Sequence, residues 1–147
     1  MPASLRLSYP PSHPTLPSPA GDRLDLPVRD VMRPGVIAID EDASIQQAQR
    51  ALLAHGVHAI LVVEHGGRPL GWATSRGLLS WWNRDLALRA ARDAVGEAAV
   101  AVEPSATARE ALAVLLRTGA SRLLVARSAD GLPEGVVADL DLLAVLA

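Results

Sequence analysis

Close to the end of the chain, residues Gly135 to Asp141 read GVVADLD. A glycine and a small apolar run lead directly into two carboxylates, Asp139 and Asp141. Buried strands seldom finish on two acids, so the pair must face something polar. One candidate is local. Asp is a favoured cap and first-turn residue, so both acids can stabilise the start of a following helix. A similar stretch, GWATSRG, occupies Gly71 to Gly77, and there the last acid is replaced by Gly77.

The basic side of the chemistry is uniform. All 14 basic residues are arginine, each a planar donor fork suited to phosphate. His55, His58 and His65 are close in sequence, which raises the question of a metal. They fall at a helix end, a strand start and a turn, so no single element aligns them, and no cysteine helps. No metal site is expected. No nucleophile elbow, phosphate loop or dinucleotide fingerprint is present, so an enzyme is not expected either.

The chain has 147 residues, a net charge of −2 and 50% apolar residues. Such a length suits one globular domain or two small lobes sharing a core. The near-neutral charge leaves no electrostatic footprint for nucleic acid. Nothing resembles an export signal, and no run approaches the ~18 apolar residues of a membrane span. A cytoplasmic protein is expected. Residues 1–25 carry Pro2, Pro10, Pro11, Pro14, Pro17 and Pro19 and read as a disordered, polyproline-like arm.

Those elements that must hold the acids repeat. VRDVM at Val28 returns as ARDAV at Ala91, and SIQQAQRALLAHG at Ser44 returns as TAREALAVLLRTG at Thr107. HAILVV at His58 returns as SRLLVA at Ser121, and RPLGWAT at Arg68 as LPEGVVA at Leu132. The second copy gains one residue in the turn before Pro133, where a repeat tolerates an insertion. Each copy opens on a short strand, 36–39 or 99–102. A helix follows, with a capping box of Ser44 and Gln47 or Thr107 and Glu110. Its apolar positions recur at helical spacing: Ile45, Ala48, Leu52 and Leu53, then Leu112, Leu115 and Leu116. Gly56 and Gly119 sit where a helix end favours a left-handed residue. Buried strands are expected over 59–63 and 123–126. Turns follow at Gly66 and Gly67 or Asp130 and Gly131. A third strand and a last helix close each copy.

This order, β-α-β-β-α with a short helix leading in, resembles the cystathionine-β-synthase (CBS) domain in its tandem form, the Bateman module. The paired RD lead-ins, the capped helices ending on glycine and the closing GVVADLD carry the resemblance, which spans Val28 to Ala147. It implies an α/β (α+β) fold in which CBS repeats 26–86 and 87–147 pack as a pseudo-twofold pair. It also implies that an adenosine-type ligand lies in the cleft between copies, with AMP, ADP or ATP as the regulatory molecule.

Carried over by position, the resemblance assigns Asp141 to the ribose hydroxyls, since a carboxylate accepts two hydrogen bonds from a cis-diol. Val137, Ala138, Asp139 and Leu140 surround it. Ala138 stands where the family has Ser or Thr, and Asp139 falls on a variable position often acidic. Copy one would supply the adenine pocket through Met32, Gly35, Ile37, His58 and Ala59. Arg122 falls where a basic residue faces phosphate; it could equally pair with a carboxylate on the sheet rim. The mirror cleft keeps Thr74 and Ser75 but has Gly77 for the acid and Ala59 for the arginine. Helix capping by Asp139 and Asp141 remains an open alternative to ligand binding.

SWWNRD at Ser80 to Asp85 places two tryptophans side by side. On a helix their side chains would point ~100° apart, so one stripe hardly buries both. One ring is expected in the core and the other on the surface, where exposed Trp is a frequent interface anchor. The expected protein is a homodimeric regulatory module that senses an adenine nucleotide and acts on an unidentified regulated protein. The competing readings are a ligand-free oligomerisation or interaction module and a regulatory subunit of an enzyme complex.

Overall fold

The computed structural model describes residues 23–128 and 132–147. The Pro-rich arm as far as residue 22 and the turn at Asp130 and Gly131 lie outside the described residues.

Local sequence signals account for the helices. Helix α1, Ile45–His55, opens on a reciprocal cap. The Gln47 N–H donates to the Ser44 hydroxyl at 3.0 Å, and the Ser44 N–H donates to Gln47 Oε1 at 2.8 Å. The helix ends at Gly56, whose φ of 63° is the left-handed conformation that glycine adopts without strain. Its counterpart in copy two, Ala108–Thr118, runs from Thr107, which accepts from the Glu110 N–H at 3.1 Å, to Gly119 at φ 74°. Ile45, Ala48 and Leu52 are buried in one helix, and Ala108, Ala111 and Leu115 in the other. The buried stripe is narrower than the spacing suggested. Leu53 and Leu116 occupy equivalent positions and are 75% and 72% exposed.

The strands form two sheets. In copy one, β2 (Ala38–Asp40) lies parallel to β3 (Ala59–Val63), which pairs antiparallel with β4 (Pro69–Thr74). In copy two, β5 (Ala101–Val102), β6 (Arg122–Val125) and β7 (Gly135–Ala138) repeat the pattern. The short helix α2 (Ser75–Leu79) closes copy one. Copy two numbers its helices α3 (Ala108–Thr118) and α4 (Asp139–Val145). The result is two β-α-β-β-α-like repeats of mixed α/β structure. No helix among the described residues is long and apolar enough to cross a membrane.

The lead-ins are exchanged. The turn of 3-10 helix at Val28–Asp30 packs into the core of copy two, with Val28 fully buried beside Ala108, Leu123 and Val137. That at Ala91–Ala94 packs into copy one, beside Ile45, Ile60 and Ala73. Backbone hydrogen bonds fix both at equivalent atoms. The Val28 N–H donates to the Ala106 carbonyl at 2.7 Å, and the Ala91 N–H donates to that of Ala43 at 2.6 Å.

The chain leaving each lead-in stays with the foreign sheet for a few more residues. Strand β1 (Arg33–Pro34) pairs antiparallel with β7, and Glu97 bridges to Trp72 of β4. The expected first strands over 36–39 and 99–102 are therefore shorter. The backbone pairs with one sheet and then crosses to the other, which leaves a break in each strand. Leu61, Trp72 and Leu124 meet where the two sheets face each other, with Val36, Ala59, Ala99 and Val136 around them.

This crossing explains two glycines. A methyl on Gly135 would come within 2.5 Å of both the Arg33 carbonyl oxygen and the Met32 sulfur. One on Gly71 would meet Val95 at 2.5 Å and the Glu97 carbonyl oxygen at 2.6 Å. The obstacle is backbone in both cases, so relief requires moving the exchanged strand. Gly71→Ala and Gly135→Ala should each lower the unfolding free energy by roughly 1–3 kcal/mol, the usual cost of overpacking. Denaturant titration checks this, and unchanged midpoints would show that the strands can shift freely.

Candidate functional site

Copy two presents its charged groups where β7 ends and α4 begins. Ala138 is the residue before the helix, and methyl cannot accept the hydrogen bond that a capping Ser or Thr would. Asp141 compensates from the third helical position: its Oδ2 accepts the Ala138 N–H at 2.8 Å. Copy one does the reverse. There Thr74 accepts the Gly77 N–H at 3.0 Å, and glycine at position 77 offers nothing in return. The two halves of one capping box are thus divided between the copies. The capping alternative holds for Asp141. It uses one oxygen, and Oδ1 faces the Arg33 guanidinium 3.4 Å away across the β1–β7 edge. Arg33 is 76% exposed, so that pair is a weak, exchangeable one. Asp139 is exposed, and its Oδ1 accepts the Leu140 N–H at 2.8 Å.

Arg122 opens β6 directly across from Ala138 in the ladder. Its guanidinium donates to Glu97 Oε2 and lies 5.6 Å from the centre of the Trp72 ring. The rim carboxylate that the sequence left open is therefore Glu97. Arg122 and Asp141 come together around Ala138, one through the ladder and the other through its hydrogen bond. Gly35, at φ 81°, turns the chain at the other end of β7 and donates its N–H to the Glu134 carbonyl at 2.9 Å. Met32 lies against Gly135 and the edge of the copy-two core.

The remaining candidates are more scattered. Val137 is fully buried in the copy-two core, and Ile37 packs on that of copy one, so both support the strands from behind. Leu140 is 66% exposed. His58 is exposed, and its carbonyl accepts the Ser75 N–H at 2.8 Å. Ala59 lines the seam between the sheets.

Helix α2 ends at Leu79, so Trp81 and Trp82 do not lie on it, contrary to the sequence expectation. Successive turns place their N–H groups on the Leu78 and Leu79 carbonyls at 3.0 and 3.2 Å. The rings do divide as expected. Trp81 packs on the copy-one core beneath the Arg84 guanidinium, whereas Trp82 is 79% exposed.

Sequence reasoning missed one charged cluster. Strand β2 pairs Asp40 with Val63, which brings His65 beside the acids that follow β2. His65 Nε2 reaches Asp42 at 2.5 Å and Nδ1 lies 3.5 Å from Asp40; Arg92 of the exchanged lead-in holds the other Asp42 oxygen. Asp40, Asp42 and His65 can bring their ligand atoms within 4.8 Å of one another. Yet Asp42 already has two cationic partners, and all three residues are exposed, so the cluster reads as an ion-pair network. No spacing rule could reveal it, because the strand register assembles it.

The Asp40 charge, with the Asp42 hydrogen bond, raises the His65 pKa above the ordinary 6.5. Arg92, chiefly through its hydrogen bond, lowers that of Asp42 below 3.8. A raised histidine stabilises the fold fully below its unfolded pKa and loses that contribution as pH rises through the folded value. The Asp42 contribution is present above 3.8 and is lost as pH falls through its lower folded value. NMR titration should find His65 protonated at higher pH than a histidine of the denatured chain, and D42N should bring it down. An ordinary midpoint for His65 would contradict the network.

Sequence comparison matches the CBS domain twice, at residues 28–84 and 91–147. No curated protein matches the chain. Solved structures share the fold. The CBS domain of a bacterial CNNM/CorC family Mg2+ transporter in complex with ATP superposes with a TM-score of 0.76 at 21% identity, covering 86% of this chain and 92% of that one. CBSX2 in complex with AMP gives 0.67 at 21% identity, covering 80% and 93%. Hypoxic Response Protein I, with two coordinated zinc ions, gives 0.69 at 20% identity, covering 83% and 100%. Both matched segments contain the full strand and helix order described above, and together they take in the acids and the arginine at Ala138. The chain belongs to the CBS-domain family as a tandem, non-catalytic pair of repeats, a Bateman module.

Proposed function

We propose that this chain is a regulatory module that binds one adenine nucleotide, of the AMP, ADP or ATP class, in the cleft beside Asp141 and Arg122. The observation that carries the reading is the convergence of an acid and a cation on the two sides of Ala138. A nucleotide needs its ribose held and its phosphate charge compensated. Asp141 Oδ1 serves the first need by exchanging Arg33 for the diol, and Arg122 serves the second. Asp139 and Leu140 flank the ribose end. Met32, Gly35 and Ala59 wall the adenine side, with His58 at the rim. Related folds solved with ATP and with AMP support this class of ligand.

The second cleft is weaker on this reading. The equivalents of Asp141 and Arg122 are Gly77 and Ala59, and Thr74 and Ser75 supply only hydroxyls. A charge-assisted hydrogen bond contributes roughly 1.5–3 kcal/mol, so losing two lowers affinity by roughly two to four orders of magnitude. The matched hydrogen bonds of the exchanged lead-ins support a pseudo-twofold relation between the repeats. A ligand touching both would favour one relative orientation of the pair, and a regulated partner would read it.

Calorimetry with AMP, ADP and ATP should find one site per chain. Asp141→Asn keeps an acceptor for the Ala138 N–H but removes the charge, and should weaken binding at least tenfold, as should Arg122→Ala. Thr74→Ala should leave affinity unchanged. Two equal sites, or full affinity in Asp141→Asn, would place the ligand elsewhere.

The module also forms a homodimer on this reading. Leu53 and Leu116, and likewise Leu79 and Leu143, are equivalent exposed leucines on the helices of the two repeats, and Trp82 stands at 79% exposure beyond α2. Repeated apolar positions on the outer helices, with an aromatic anchor, suit a self-complementary contact. Sedimentation should show a dimer that Trp82→Ala weakens. A monomer at high concentration would contradict it.

A further inference from the structure

We infer that Glu97 is a built-in competitor for Arg122, which holds down the affinity of the cleft for phosphorylated ligands and leaves that for an uncharged adenosine untouched. The inference rests on the nucleotide reading above and adds the residue that sets its selectivity.

The arrangement has a fixed part and an exchangeable part. Arg122 is only 17% exposed at its side chain and lies over Trp72, so its position is constrained by packing. The Glu97 backbone is also fixed. Its carbonyl accepts the Trp72 N–H at 2.9 Å, and the neighbouring Gly96 N–H donates to the Trp72 carbonyl at 3.0 Å. The Glu97 side chain is different. At 40% exposure it can leave Arg122 for water without disturbing the strand beneath it. A phosphate that reaches Arg122 meets this carboxylate first and must displace it, since two anions beside one guanidinium repel.

The trio occurs once. The positions equivalent to Trp72, Glu97 and Arg122 on the other side are Val136, Pro34 and Ala59, which carry neither charge nor side-chain donor. The competitor is present where the cation is, and absent where the cation is absent. Trp72 adds an independent sign of a polar occupant. Its ring is 3% exposed, and its buried Nε1 has no hydrogen-bond partner among the described residues. A buried donor without a partner is uncommon, and it marks the surroundings of Arg122 as richer in donors than in acceptors.

With Glu97 in place, a ligand gains from its phosphate only the difference between two anionic partners of Arg122. Every phosphorylated ligand bears this cost, and an uncharged adenosine leaves the pair intact. Glu97→Gln keeps the size of the side chain and removes the competing charge.

Calorimetry on the full chain with adenosine, AMP and ATP, for the wild type and Glu97→Gln, tests this. The variant should bind AMP and ATP roughly tenfold more tightly, the scale of one charge-assisted contact. Its adenosine affinity should be unchanged. Arg122→Gln in either background should abolish the difference between adenosine and ATP. Melting temperatures confirm that each variant is folded, and Glu97→Ala provides a second route should Glu97→Gln not fold. Unchanged or weaker ATP binding in both Glu97 variants, with the wild type still binding, would overturn the competitor and leave the nucleotide reading standing. Failure of every compound to bind any of these proteins would overturn both.

Discussion

The exchange of the two lead-ins is the constraint on which the rest of the molecule depends. Neither repeat completes its own core. Copy two buries Val28 from the start of copy one, and copy one buries Ala91 and Ala94 from the start of copy two. Burying Val28 contributes about 1.5–3 kcal/mol and each alanine methyl about 0.8 kcal/mol, and the backbone bonds to Ala106 and Ala43 hold these segments in register. Separating the repeats would therefore open two cores as well as the seam at Leu61, Trp72 and Leu124. The glycines at 71 and 135 follow from the same constraint, because the exchanged strands lie directly on them.

The exchange also builds the polar sites. Arg33 reaches Asp141 only because the chain after the first lead-in runs beside β7. Glu97 reaches Arg122 only because the second lies on Trp72. Arg92 reaches Asp42 from the second lead-in itself. Arg33–Asp141 and Arg92–Asp42 join residues from different repeats, and Glu97 and Arg122 meet over Trp72 of the other repeat, so a ligand that alters one of these contacts would act on the relation between the repeats.

Much of this was legible in the sequence. The repeat register, the capping residues Ser44 and Thr107 and the terminal glycines 56 and 119 are local signals, and local structure obeys them. The strand over 59–63 was legible because its apolar run is bounded by a glycine-ended helix and a turn. The lead-ins were not, because a short segment such as VRDVM carries no mark of which core receives it. The Asp42–His65–Arg92 cluster and the Glu97–Arg122 pair were hidden for the same reason: long-range strand register creates them. Trp81 and Trp82 show the opposite error. The helix stops at Leu79, and the chain continues in turns that a periodicity argument does not distinguish from helix. At Asp141 the sequence left two roles open, and geometry makes them compatible, since one carboxylate oxygen caps α4 while the other faces Arg33.

The central claim is that one cleft, marked by Asp141 and Arg122, takes the nucleotide. A crystal structure of the full chain grown with ADP tests it most directly. The account predicts ADP in that cleft alone, with its ribose on Asp141 and a phosphate oxygen on Arg122 in place of Glu97. ADP bound beside Thr74 and Gly77, or with Arg122 still paired to Glu97 and remote from the phosphates, would contradict it.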